Sequence, residues 1–160
     1  MIRKAVQSDI PQIADIYEQL HLTHCKIRPD YFREPPMEHY IEDLQWSINE
    51  RGFELIVFEE NEMIKGYAEF YIHDREEAQS VTRYKRCFVE QFAVKDECRR
   101  LGIGKAMMER IKAFANDNGC DSIELGVWFE NYDAVDFYST MGLSPRMYKM
   151  EMKLKKERQQ

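Results

Sequence analysis

Apolar residues recur along this chain with two periods, and the switches between them predict the elements. Ile2 to Val6 alternates as a strand does, and Ser8-Asp9-Ile10-Pro11 then reads as the entry to a helix. In that helix Ile10, Ile13, Tyr17 and Leu20 share one face. The stretch His21 to Pro36, with Pro29, Pro35 and Pro36, reads as irregular, and Met37 to Asn49 as a second helix with Tyr40, Ile41, Leu44 and Ile48 inward. Phe53 to Glu59 and Met63 to His73 form a predicted hairpin around Glu60-Asn61-Glu62, and Arg83 to Val94 a third long strand. Helical spacing returns over Lys105 to Asn116 and stops at Asn118-Gly119. Ser122 to Trp128 reads as a strand, Tyr132 to Met141 as a helix closed by Gly142, and Met147 to Leu154 as a last strand.

A strand, a helix and a strand around Lys105 to Asn116 require a crossover to a parallel partner, whereas the hairpin strands are antiparallel. The expected fold class is therefore α/β with a mixed sheet and helices on both faces. At 160 residues, 44% hydrophobic and 32% charged, the chain has the size and composition of one folded domain spanning residues 1–160. The net charge of −6 argues against nucleic acid as a partner, and no apolar run approaches a membrane span. Cys25, Cys87, Cys98 and Cys120 lack paired spacing, and Arg3, Lys4 and Asp9 stand where a signal peptide would be apolar. Reduced thiols and a cytoplasmic location are expected. His21 and His24 stand three apart with no third ligand in sight, so they read as surface or helix-end residues and no metal is expected.

The chemistry concentrates at Arg99-Arg100-Leu101-Gly102-Ile103-Gly104-Lys105, where a strand gives way to a glycine turn that opens a helix. Glycines there let a ligand approach the backbone, and the helix start offers unpaired N–H groups at the positive end of its dipole. Arg99 and Arg100 add charge for phosphates, or are merely a solvated turn after Asp96-Glu97. A Walker loop would need Gly at Arg99 and Ser or Thr at Ala106, and a dinucleotide fingerprint would need Gly or Ala at Met107.

What remains, Arg-x-x-Gly-x-Gly after a hydrophobic strand, resembles the acyl-CoA-binding signature of the GCN5-related N-acetyltransferase (GNAT) superfamily. A second segment, Val127 to Leu143, resembles that family's V-x-x-x-N-x-x-A-x-x-F-Y-x-x-x-G-F pattern at Asn131, Ala134, Phe137, Tyr138 and Gly142, with Leu143 in place of the usual aromatic. The resemblance runs from end to end of the chain. It implies a single-domain fold whose fourth and fifth strands, here Arg83 to Val94 and Ser122 to Trp128, splay apart to admit the pantetheine arm of acetyl-CoA.

The resemblance also implies roles. The backbone of Phe92, Ala93 and Val94 would hold pantetheine and polarise the thioester carbonyl. The turn from Arg99 through Leu101 and Ile103 to Lys105 would hold the diphosphate, and Asn131, Ala134 and Phe137 would flank the arm. Glu90 stands where the family commonly places a base or a water-orienting acid. A primary amine is under roughly 0.1% neutral at pH 7, so a nearby carboxylate would help. Glu90 reads equally as a structural partner of Arg86 or Lys85. The family's equivalent of Tyr138 protonates the departing thiolate, although a tyrosine beside Phe137 also suits core packing. Asn131 suits a helix cap with no ligand at all.

The expected activity is acetyl transfer from acetyl-CoA to a primary amine by direct attack in a ternary complex, with no acyl-carrying side chain and no metal. Tyr31, Phe32, Glu34, Asp74, Glu76 and Glu77, in the segments expected to select the acceptor, favour a small cationic amine. A catalytically silent CoA-binding module and an enzyme acetylating a protein terminus or lysine are the rival readings, and a homodimer stays open.

Overall fold

A computed structural model describes residues 1–50 and 52–154. Five strands lie in the order β1-β2-β3-β4-β5: β1 (Ile2–Lys4), β2 (Phe53–Glu60), β3 (Met63–Arg75), β4 (Tyr84–Val94) and β5 (Ser122–Leu125). Neighbours from β1 to β4 are antiparallel, and β4 with β5 is parallel. The helices are α1 (Ile10–Ile27), α2 (Met37–Asn49), α3 (Ile103–Asp117) and α4 (Tyr132–Thr140). The mixed α/β class is as expected, and α3 is the crossover between the parallel strands.

The two faces of the sheet carry separate cores. Ile13, Ile16, Tyr40 and Leu44 of α1 and α2 pack with Leu55, Val57 and Tyr67 of the sheet. On the opposite face Ile103, Met107 and Ile111 of α3 meet Ile56, Ala68, Phe70, Cys87 and Val89. Adjacent strand positions such as Ile56 and Val57 therefore serve opposite cores, as period-two geometry requires. Fully burying each such aliphatic side chain contributes about 1.5–3 kcal/mol. Between β2 and β3, Asn61 and Glu62 both take positive φ, 53° and 62°, which turns the chain within the predicted hairpin loop.

Three expectations fail locally. The α1 helix does not give way to irregular chain at His21 but continues to Ile27. Its nearest breaker is Pro29, which drives the preceding Arg28 out of helical geometry, φ −132°. The strand expected over Ser122 to Trp128 ends at Leu125, because Gly126 opens a loop that turns at Trp128, whose carbonyl accepts from the Asn131 N–H at 2.9 Å. The last strand expected over Met147 to Leu154 is not formed. The segment is exposed and makes no backbone hydrogen bond with other described residues. Side chains hold it instead: Arg28 reaches Glu151 at 3.0 Å, Lys153 reaches Asp30 at 2.8 Å, and Arg146 pairs with Glu124.

Candidate active site

The parallel ladder between β4 and β5 stops at Val89 and Leu125, while β4 runs on for five more residues. Beyond that point β4 has a partner only on the β3 side, and the sheet opens. The Lys95 N–H donates to the Lys65 carbonyl at 2.9 Å, so antiparallel alternation turns the N–H groups of Ala93 toward β3 and those of Phe92 and Val94 toward the opening. The β3–β4 register shifts between Glu69 and Phe70, pairing Glu69 with Gln91 and Phe70 with Val89. Glu90 is thus the extra residue of a β-bulge, a distortion that re-aims a side chain at the end of a ladder.

The cleft at this opening is lined by Glu90, Gln91 and Phe92 of β4, by Gly126, Val127 and Trp128 after β5, and by Asn131, Ala134 and Tyr138 of the α4 region. Leu20 and His24 of α1 close it. Glu90 is exposed and makes no ion pair with described residues. The structural partners considered for it are engaged elsewhere, Arg86 with Glu124 at 2.9 Å and Lys85 with the Asn118 carbonyl at 2.6 Å. Asn131 stands at the N-cap of α4, yet its side chain makes no capping hydrogen bond, and the residue lines the cleft. Tyr138 combines both readings: its ring packs edge-on against Phe92, centroids 6.2 Å apart, while it lines the cleft. Burial pushes its phenol up to about 12, so the proton is held throughout the neutral range.

At the glycine turn Arg100 and Gly102 both have positive φ, 62° and 82°. No side chain caps α3, and its first intrahelical bond runs from the Ala106 N–H to the Gly102 carbonyl. The N–H groups of Ile103, Gly104 and Lys105 are left as donors for an anion. Gly104 has a further reason to lack a side chain: an added Cβ would lie 3.2 Å from the Phe137 ring. Phe137 in turn stacks on Phe92, centroids 5.7 Å apart, which links the turn to the cleft edge. Arg99 pairs with Asp96 at 2.7 Å, a surface contact worth little, and Leu101 is 69% exposed.

Sequence reasoning missed two groups. His24, placed at the cleft by the longer α1, is stacked on Phe32 with centroids 5.5 Å apart. Burial lowers its pKa and favours the neutral ring. Behind the bulge, Glu69 is 3% exposed, accepts from the Ser47 hydroxyl at 2.7 Å, and has its carboxyl raised by burial and by the nearby charge of Glu90. The signal for Glu69 was a lone acid in the apolar run Tyr67-Ala68-Glu69-Phe70. For His24 it was the absence of any breaker between Leu20 and Ile27.

A family model described as "Acetyltransferase (GNAT) family" matches residues 18–143. Thialysine N-epsilon-acetyltransferase from Bos taurus is 26% identical over 153 residues, 89% of this chain and 82% of that protein. Its Sus scrofa counterpart is 27% identical over 154 residues with the same coverage. A tetramutant of the BH1408 protein from Bacillus halodurans superposes with a TM-score of 0.93 at 26% identity, over 96% of this chain and 99% of that one. Aminoglycoside N-acetyltransferase AAC(6')-Iy, solved in complex with CoA, shares the fold at a TM-score of 0.75 and 14% identity, over 96% of this chain and 93% of that one. Matched over most of its length, the chain belongs to the acetyltransferase (GNAT) family.

Proposed function

We propose that residues 1–160 form one N-acetyltransferase domain that moves an acetyl group from acetyl-CoA to the primary amine of a small cationic molecule. The observation that carries this reading is the free edge of β4. The outward N–H groups of Phe92 and Val94 border a cleft that also holds Glu90 and Tyr138, and Phe92 and Phe137 connect it to the uncapped start of α3.

The N–H groups of Ile103, Gly104 and Lys105 bind the diphosphate of the donor, with Arg100 free to add charge. Phe92 and Val94 donate to the pantetheine and to the thioester carbonyl, which makes the carbonyl carbon more electrophilic. Ala134 leaves room for the arm, and Asn131 bonds it. Glu90, directly or through water, accepts a proton from the incoming ammonium, so that nitrogen attacks as the free amine. Tyr138 gives its phenolic proton to the departing sulfur. Breaking the thioester and forming the amide then needs no covalent acyl-enzyme, and Cys87, buried with its thiol pushed up to about 12, is unsuited to be one.

The acceptor follows from the lining. Glu90 and Trp128 both line the cleft and offer it a carboxylate and an aromatic surface, groups that suit an alkylammonium. The thialysine-acetylating relatives support an amine acceptor of this kind. The test is release of free CoA thiol from acetyl-CoA on addition of small diamines and amino acids with a side-chain amine, with a lysine-bearing peptide panel run alongside. Turnover with the small amines and not the peptides supports the reading. Peptide-only turnover makes the protein a protein acetyltransferase, and acetyl-CoA binding without turnover on any amine makes it a silent module.

A further inference from the structure

Arg86, Phe88 and Glu90 form a row along β4. Their neighbours Cys87 and Val89 belong to the core beneath α3, so alternation sets the three on the opposite face of the sheet, the one α1 and α2 cover. Glu90, at one end of the row, lines the cleft. Phe88 is its apolar middle, half-buried and packed on Tyr71 with ring centroids 5.6 Å apart. Arg86 is the other end. The β4–β5 register sets Glu124 beside Phe88, so Arg86, by bonding Glu124 at 2.9 Å, leans along the strand toward Glu90. Its guanidinium carbon lies 5.6 Å from the centroid of the Phe88 ring. The positive and negative ends of the row are thus about two strand residues apart, roughly 7 Å.

The fold leaves part of this arginine unused. Nη1 donates to Glu124, whereas Nε is buried without an acceptor, the one such side-chain atom among the described residues, and Nη2 has no partner among them. A buried donor with its bond unmade is costly, and Nε with Nη2 is the edge of the guanidinium fork that holds a carboxylate by two parallel bonds. Charge points the same way. Glu124 is shared with Arg146, and no second carboxylate among the described residues forms an ion pair with either arginine. Two guanidinium groups on one carboxylate leave a positive charge over.

We infer that Arg86 binds the carboxylate of the acetyl acceptor, which makes that acceptor an amino acid with an amine at the end of its side chain and not a plain diamine. The inference rests on the acetyl-transfer reading above and adds the far end of its substrate. The terminal ammonium meets Glu90, the methylene chain crosses Phe88, and the carboxylate fills the Nε and Nη2 edge of Arg86. A diamine would set a second cation against the leftover positive charge, so the group that attracts one acceptor rejects the other.

The test is release of CoA thiol from acetyl-CoA by the full chain with L-lysine, L-lysine methyl ester and 1,5-diaminopentane, which share the terminal amine and differ at the carboxylate. KM for lysine is expected to lie about 10- to 100-fold below the other two at similar kcat, the range of one charge-assisted pair. Arg86→Gln is expected to bring the three KM values together without altering KM for acetyl-CoA. Arg146 remains on Glu124, so the substitution strands no carboxylate, and thermal unfolding checks that the fold is kept. Arg86→Lys, which keeps the charge and loses the fork, is expected to recover part of the preference. Equal KM for lysine and its ester in the wild type overturns the inference, as does a preference that Arg86→Gln leaves intact. In both cases turnover itself keeps the acetyl-transfer reading standing. Absence of thiol release with all three acceptors overturns the inference, and the reading falls with it only if the wider amine and peptide panel is silent too.

Discussion

A Cβ placed on Gly104 would lie 3.2 Å from Cζ and 3.3 Å from Cε2 of Phe137, so the first turn of α3 and the ring from α4 occupy adjoining volumes. The glycine serves helix packing as well as ligand approach. Gly104→Ala gains up to about 1 kcal/mol of helix propensity but incurs overpacking of about 1–3 kcal/mol. A net loss of stability is expected, with Phe137 displaced toward Phe92 and weaker acetyl-CoA binding as a result. In a Phe137→Leu background the same substitution should be neutral or stabilising. Urea unfolding of the four proteins measures the coupling, and strict additivity would leave ligand approach as the sole reason for the glycine.

How far the sequence discloses this site is clearest at that turn. The glycine spacing marked the loop, but the contact with Phe137 joins residues 33 positions apart and has no local signature. The hairpin of β2 and β3 and helices α2, α3 and α4 were legible because period and breakers agree there. The proline-rich stretch predicts irregular chain from His21, whereas Pro29 alone sets the end of α1, and His24 reaches the cleft because the helix continues past it. The strand expected over 147–154 rests on side-chain alternation, and it does not form because a strand also needs a bonded neighbour, which alternation alone does not supply. The bulge that presents Glu90 depends on the register of β3 against β4, which one strand read by itself does not contain.

Tyr138→Phe should lower kcat about tenfold or more while leaving acetyl-CoA affinity within a factor of two, because the ring keeps its contacts with Phe92 and Phe137 and only the proton is lost. Since burial pushes the phenol up to about 12, the wild-type rate should show no inflection from this group below pH 10. Steady-state kinetics and calorimetry separate the two effects. Equal kcat in both proteins removes Tyr138 from proton transfer.

Glu90 of β4 and His24 of α1 line the same cleft, and their substitutions should differ in pH dependence. Glu90→Gln is expected to cost on the order of 10²-fold in kcat near neutrality. The deficit should shrink as rising pH deprotonates the amine without help, and a loss that is constant with pH would make Glu90 a binding group instead. His24 has its folded pKa depressed by burial, so the neutral ring is the one the fold favours. Its contribution to stability is present above the unfolded value, near about 6.5, and is lost as pH falls through the folded value. His24→Gln should therefore flatten the acid side of a plot of Tm against pH. An unchanged acid limb would show that His24 is not held neutral.

Glu69 gives the opposite sign. Its carboxyl is raised chiefly by burial and, less strongly, by the charges of Glu90 and Asp43, against the lowering effect of the Ser47 hydroxyl bond. A raised folded pKa means the stabilising form is the protonated one. That contribution is complete below the unfolded value, near about 4.3, and is lost as pH rises through the folded value. At pH 7, above the unfolded value, the raised folded value is a cost to stability whichever form the buried carboxyl takes. Glu69→Gln keeps an oxygen to accept from Ser47 and removes the ionisable carboxyl. A gain on the order of 1 kcal/mol, roughly 2–4 °C in Tm, is expected at pH 7 and should vanish near pH 4. Scanning calorimetry at the two pH values tests this, and a stability gain that persists unchanged at pH 4 would locate its origin in packing and not in ionisation.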